Sequence, residues 1–413
     1  MKQNKVIIIG GGSAGLACAI KLKEQGIDDI LLVEKENELG GILNQCIHNG
    51  FGLTLYKQEY TGPMYAQLNI DRFMALGIPY LLNATVLDIT ESKIVTICDP
   101  SGIFEIQAEV VVLAMGARER TRGNIGIPGN RCVGVWTAGN AQKYLNMDGY
   151  LVGKRIFILG SGDIGLIMAR RLTLAKAVVV GVAEIMPYSN GLNRNIVQCL
   201  LDYDIPLYLS TTITKIKGDG RVEGITLCKV DEKRQPMPET SFDVEVDTVL
   251  LSVGLIPDNV ISEKAKVDLD PRTKGPKVNS QLMTNVSGIF ACGNVLHIHD
   301  LVDHVSMEGM LVADSILTYL KHETDPKIIP IIAQGALSYV LHQTLSSESK
   351  SVLLKYRVYK PMKKGVLKLI SKDQVIMKFP KIDLHPSEMQ TLQLSSAILS
   401  KIDYNLVVEL SDE

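Results

Sequence analysis

The sequence predicts an α/β protein with two Rossmann-like dinucleotide-binding domains, one inserted in the other. A small C-terminal all-β, sandwich-like domain follows them. Strand-like and helix-like patterns alternate from residue 5 to about 320, the order that builds parallel sheets. A G-x-G-x-x-G cluster twice closes a short apolar run, at Gly10–Gly15 and at Gly160–Gly165. From about Lys350 the pattern changes to short strand-like runs separated by turns, as in a small antiparallel sandwich.

The first fingerprint follows the apolar run Lys5–Ile9 and opens a helix-like segment, Ser13–Lys23, with small residues on one face. The strand-like run Ile30–Val33 ends in Glu34, nineteen residues after Gly15. A further run, Ala108–Gly116, precedes the charged segment Arg118–Arg122 and a turn at Ile127–Asn130. The pattern then repeats: Arg155–Leu159, the second fingerprint, and Ala177–Ala183 ending in Glu184, again nineteen residues on. Thr248–Gly254 reads as another buried strand that stops at Ile256–Pro257, and Gly288–Asn294 leads to a helix expected at about Ser306–Leu320.

The spacing has a physical meaning. The first glycine makes a tight turn, the second lets the backbone approach a pyrophosphate, and the third packs helix on strand. The helix N-terminus faces the phosphates, and the acid one strand later takes the ribose hydroxyls. A lone fingerprint is weak, because glycine-rich turns are common. Two copies with strand before and acid after point to dinucleotide binding.

Composition narrows the class. The 413 residues allow two or three domains, and 46% hydrophobic with 21% charged residues is ordinary for a globular chain. A formal net charge of -2 gives no basic footprint for nucleic acid. The strand-like start leaves no room for a secretory signal, and no apolar run reaches the ~18 residues of a membrane span. A cytoplasmic protein is expected. The seven cysteines contain no C-x-x-C or C-x-x-x-x-C spacing, which argues against a zinc knuckle or iron–sulfur cluster.

These landmarks resemble the flavoprotein class of thioredoxin reductase and glutathione-reductase-like enzymes. The resemblance implies an FAD domain at 1–118 and 258–326, an inserted NAD(P) domain at 119–257, and a C-terminal module at 327–413. It implies FAD contacts at Gly10, Gly12, Ser13, Ala14, Gly15, Glu34, Lys35, Gly41, Asn49, Val86, Ala114, Gly116, Gly293, Asn294 and Val305. In the inserted domain it implies nucleotide contacts at Gly160, Ser161, Gly162, Asp163, Ile164, Gly165, Glu184 and Gly254. An acid at Glu184, with no adjacent arginine, favours NAD(H) over NADP(H). Asn294 stands where the class usually has an aspartate, so it brings a hydrogen bond without charge.

Segments Gly40–Gly52, Gly160–Arg170 and Gly293–Val302 resemble one branch of that class more closely. In that branch the subunit works beside a second flavoprotein, as in opine, sarcosine, proline and anaerobic glycerol-3-phosphate dehydrogenase systems and in hydrogen cyanide synthase. The expected partners are a second FAD-containing dehydrogenase subunit and a small cysteine-rich protein, in an oligomer. The redox disulfide of glutathione-reductase-like enzymes is replaced by Leu43 and His48, and the C-x-x-C region of thioredoxin reductases is represented by Cys132 alone. A dithiol relay needs two neighbouring thiols.

The chain therefore reads as an FAD-dependent, NAD(H)-linked oxidoreductase that passes electrons to or from a partner dehydrogenase without its own disulfide. A stand-alone NADH oxidase or diaphorase, and a non-catalytic scaffold subunit binding FAD and an adenine nucleotide, stay open as alternatives. His48 is the candidate catalytic residue, as a proton relay. Cys46, without a partner thiol, reads as packing. His297, His299, Asp300, Asp303 and His304 form a cluster read as the loop entering the flavin-facing helix, with no metal. The C-terminal strands read as a packing or interaction module.

Overall fold

The structure, a computed structural model, describes residues 2–321, 327–347, 349–380 and 382–411. It divides into two compact units, Met1–Ala117 with Pro257–Glu413, and Arg118–Ile256. The expected junction at 326 lies outside the described residues.

The first unit opens with β1 (Lys2–Ile9), α1 (Ser13–Glu24) and β2 (Ile30–Val33), followed by α2 (Gly62–Ala75) and the long strand β3 (Gly102–Leu113). β1 lies between β2 and β3 and is parallel to both. Val6, Ile7 and Ile8 are fully buried, as expected of a central parallel strand covered on both faces. The outer part of this sheet is antiparallel, Thr85–Ile89 and Ile94–Asp99 returning onto β3.

The second unit repeats the motif as β4 (Arg155–Leu159), α3 (Asp163–Leu174), β5 (Val178–Ala183) and β6 (Thr248–Leu251). β4 lies between β5 and β6, all parallel, with Val135–Thr137 and Leu207–Tyr208 at the edges. A three-stranded antiparallel sheet, Thr211–Lys217, Gly224–Lys229 and Phe242–Glu245, accompanies it.

Back in the first unit, β7 (Ile289–Ala291) joins β3 in parallel, and α4 (Val302–Tyr319) follows. α4 begins four residues before the expected Ser306. Its first turn carries Asp303 and His304, which give no apolar periodicity to read. α1 and α4 approach closely: a Cβ on Gly309 would lie 2.2 Å from the Ala14 carbonyl oxygen. Among the described residues, no helix is long and apolar enough to cross a membrane.

The C-terminal module contains β8 (Ile328–Gly335), β9 (Val352–Val358), β10 (Met362–Ser371) and β11 (Leu406–Ser411). One sheet runs Thr344–Ser346, β8, β11, β10, Gln374–Lys378, with Ile382–Leu384 also on β10. The other is Leu337–Leu341, β9, Gln390–Leu394. Leu354 from the second sheet and Leu369, Leu406 and Val408 from the first share one core. β8 and β11 pair in parallel, so the sandwich is mixed rather than antiparallel throughout. The parallel partner, β8, begins before the region where alternation was legible.

Candidate dinucleotide sites

Register builds the first site. Ile9 pairs with Val33 and with Leu113, and Leu113 pairs with Ala291. Four strands thus end on one row, and Gly10, Glu34, Ala114 and the loop at Gly293 leave the sheet together. Such a carboxyl edge is where open α/β sheets take ligands. The second unit repeats the device: Leu159 pairs with Ala183 and Leu251, bringing Gly160, Glu184 and Ser252 out in line.

Each acid is tied back to its fingerprint. The Gly11 N–H donates to Oε2 of Glu34 at 2.6 Å, and the Glu36 N–H donates to Oε1 at 2.9 Å. In the other unit the Ser161 N–H and hydroxyl donate to Oε2 of Glu184 at 3.0 and 2.7 Å, and the Met186 N–H donates to Oε1 at 3.0 Å. Both side chains are buried, so these bonds hold each carboxyl group in one orientation.

The glycines are required by contact. A Cβ on Gly10 would lie 2.4 Å from the Ala114 oxygen, and one on Gly160 would lie 2.0 Å from the Ser252 oxygen. Both also have φ above +100°, a region L side chains avoid. A Cβ on Gly15 would strike the Gly10 oxygen at 1.9 Å. Gly12, by contrast, faces open space, and no side chain caps α1 there. α3 likewise starts at Gly162 without a side-chain cap. Uncapped N–H groups beside a side-chain-free approach suit a pyrophosphate. In the second unit the buried Ser252 hydroxyl has no hydrogen-bond partner among the described residues, and it stands 3.9 Å from where a Gly162 Cβ would be.

Gly41 and Gly293 lie against the first fingerprint. A Cβ on Gly41 would meet the Gly12 Cα at 3.1 Å, and one on Gly293 would meet the Ala14 Cβ at 2.9 Å and Val305 Cγ1 at 3.3 Å. Ser13 opens α1. Lys35 is exposed just past Glu34, and Gly116 sits at φ +74° beyond β3. Val86 is packed in the hydrophobic core. Asn49 pairs with Thr61 in a short hairpin. Asp163 is turned inward, Oδ1 accepting from the Leu192 N–H and the Asn195 amide at 2.9 and 2.6 Å. Ile164 is half-buried on α3, and Gly254 is exposed.

The expected reactive residues are less pointed. His48 is half-buried, its Nδ1 3.0 Å from the Asn49 oxygen and its ring 4.9 Å from that of Phe51. Burial pushes the Cys46 thiol up to about 12, and its sulfur donates to the Ile42 carbonyl at 3.3 Å. No disulfide joins any two of the seven cysteines.

One group was missed in the sequence. Glu308 on α4 is buried and accepts from the Gly293 N–H at 2.7 Å. Its other oxygen receives Lys355 Nζ from β9 at 2.5 Å, and His297 and His299 each place Nε2 3.4 Å from it. Burial alone would raise the Glu308 carboxyl, but Lys355 and then His299 outweigh it and hold it well below the usual carboxylate range. Forty-seven residues separate Glu308 from Lys355, so no local pattern could have paired them.

The pyridine nucleotide-disulphide oxidoreductase family model matches residues 4–310. The chain is 25% identical to hydrogen cyanide synthase subunit HcnB of Pseudomonas aeruginosa, over 62% of this chain and 58% of that one. It is also 25% identical to apoptosis-inducing factor 3 of Homo sapiens, over 71% of this chain and 46% of that one. The chain thus spans about half the length of these curated relatives. It is 25% identical to the glutamate synthase [NADPH] small chain of Escherichia coli, over 77% and 69% of the two chains. In fold it is similar to thioredoxin reductase of T. acidophilum, with a TM-score of 0.63 at 21% identity, covering 78% of this chain and all of the other. With two fingerprint sites of the same construction and a family match across most of its length, the chain belongs to the pyridine nucleotide-disulphide oxidoreductase family.

Proposed function

We propose that the chain is an FAD-dependent, NAD(H)-linked oxidoreductase that exchanges electrons with a separate dehydrogenase subunit. The observation that carries this reading is the duplicated site, a fingerprint with a tethered, buried glutamate at each of two carboxyl edges. Gly10, Gly12, Ser13, Ala14 and Gly15 would hold the FAD pyrophosphate, with Glu34 on the ribose and Gly41, Gly293, Asn294 and Val305 closing around the cofactor. Gly160, Ser161, Gly162 and Gly165 would hold the nicotinamide nucleotide, with Glu184 on its ribose. Bound FAD would supply reversible redox chemistry. The chain's own work is to orient both cofactors and to place backbone N–H groups toward their phosphates.

The electron acceptor or donor beyond the flavin lies, in this reading, on another chain. Relatives whose names mark them as a synthase subunit and a synthase small chain support it, as does a sequence with Leu43 and His48 at the disulfide positions. Glu184 favours the free 2′-hydroxyl of NAD, although one relative bears NADPH in its name. His48 would relay a proton near the flavin.

Rapid mixing of the purified chain with NADH and with NADPH tests the proposal. Bleaching of the flavin by NADH, with little oxygen consumed, supports it. Rapid oxygen consumption without a partner favours a self-contained oxidase, and no bleaching by either nucleotide favours a scaffold.

A further inference from the structure

We propose that the C-terminal module forms part of the cofactor-holding apparatus, with Lys355 a positioning residue that fixes the Gly293–Asn294 loop through Glu308. This rests on the flavin reading above. The contacts form a closed circuit. Gly293 N–H donates to Glu308 Oε2 at 2.7 Å, and Lys355 Nζ donates to Glu308 Oε1 at 2.5 Å. Lys355 also lies 3.4 Å from His299 Nε2. His299 returns to the loop, its backbone N–H and Nδ1 lying 3.1 and 3.2 Å from Asn294 Oδ1. That oxygen only accepts, so Nδ1 donates to it, while Nε2 faces Lys355 and Glu308. Gly293 and Asn294, adjacent in sequence, are thus joined through one lysine of the C-terminal module.

A second strand residue reinforces the first. Lys355 and Arg357 alternate along β9 and share a face. Arg357 binds Asp300 and the Ile298 carbonyl, and the Met389 N–H donates to the other Asp300 oxygen at 2.7 Å. The loop from Gly293 to Asp300 is therefore held between α4 and β9. His297, His299 and Glu308 place their ligand-type atoms within 4.8 Å of one another, a spacing that would suit a metal ion. The Lys355 ammonium, in contact with Glu308 and His299, fills the place a cation would take.

A buried ion pair is a poor means of gaining stability, since well-packed apolar residues of similar volume often do as well. What the pair provides is direction. It aims a carboxylate at one backbone N–H in a left-handed glycine, φ +76°, at the loop expected to close over FAD.

The test uses the full chain, with FAD as the probe. Lys355→Met removes the charge, Lys355→Met/Glu308→Gln removes both charges while keeping an acceptor for Gly293, and Lys368→Met is a control at a partly exposed pair with Glu409. FAD affinity, visible circular dichroism of the bound flavin, and amide exchange at Gly293–Leu296 are measured. The proposal expects about tenfold weaker FAD binding, an altered flavin signal and faster exchange in Lys355→Met, with the control unchanged. A lower melting temperature with an unchanged signal of the flavin still bound would mark a merely structural lysine and overturn the proposal. Binding within about twofold of wild type, with unchanged exchange, would overturn it. If the single variant does not fold, the double variant decides by the same readouts. Should the wild-type chain bind no FAD, the flavin reading falls, and unchanged exchange in the variants would then overturn the clamp as well.

Discussion

The Ser161 hydroxyl donates to Oε2 of Glu184 at 2.7 Å, the oxygen that its own N–H already reaches at 3.0 Å. The corresponding position at the first site is Gly11, which gives Glu34 its N–H alone. Glu184 is therefore fixed by one more bond, and under the proposed assignment its removal should be felt in nicotinamide-nucleotide binding. Glu184→Ala is expected to raise the KM for NADH roughly 10- to 100-fold, the loss of hydrogen bonds to a charged group, with flavin content unchanged. Glu34→Ala should instead lower flavin content. Steady-state dye reduction and the absorbance of released FAD separate the two.

Gly160 tolerates no side chain. Its φ of +101° and the Ser252 oxygen 2.0 Å from an added Cβ combine backbone strain with a clash against main chain. Gly160→Ala should cost roughly 3 kcal/mol or more, lowering the unfolding temperature of the 118–256 unit and abolishing NADH saturation. Gly12→Ala, facing open space, should leave folding intact and weaken FAD binding only. Calorimetry with and without FAD checks both.

Cys46 should be inert. With its thiol pushed up to about 12 by burial, almost none is thiolate at neutral pH, and the thiolate is the nucleophile. Alkylation of native protein at pH 8 should leave Cys46 unmodified by mass spectrometry, and Cys46→Ser should keep kcat within about twofold of wild type.

Acid should weaken the 1–117/257–413 unit earlier than carboxylates alone would. Burial lowers His297 to about 3 and His342 to about 4, whereas histidine in an unfolded chain titrates near ~6.5. Between those values the unfolded chain binds more protons, so the stability present above about pH 6.5 is lost as pH falls. Each histidine contributes up to about 1.4 kcal/mol per pH unit in that window. Glu308, held low chiefly by Lys355 against its own burial, adds loss only below about pH 4.3. Urea unfolding at several pH values should show the slope, and His342→Gln should flatten it.

Much of this was legible because fingerprints are local. Gly10, Gly12 and Gly15, and Glu34 nineteen residues on, lie in one strand–helix–strand unit, so spacing alone placed them together. The start of α4 was read late because Asp303 and His304 interrupt the apolar pattern. The parallel pairing of β8 with β11 joins segments more than seventy residues apart, and strand-like composition does not record a partner's direction. The Glu308–Lys355 contact escaped for a further reason: a buried lysine looks in sequence like any surface lysine until tertiary packing covers it.

An anaerobic titration of the purified chain with NADH, counted against bound FAD by visible absorbance, is decisive. A flavin working without a neighbouring dithiol should be fully reduced by about one equivalent, because only one two-electron centre is present. Uptake of about two equivalents, with a long-wavelength thiolate-to-flavin band appearing midway, would contradict it.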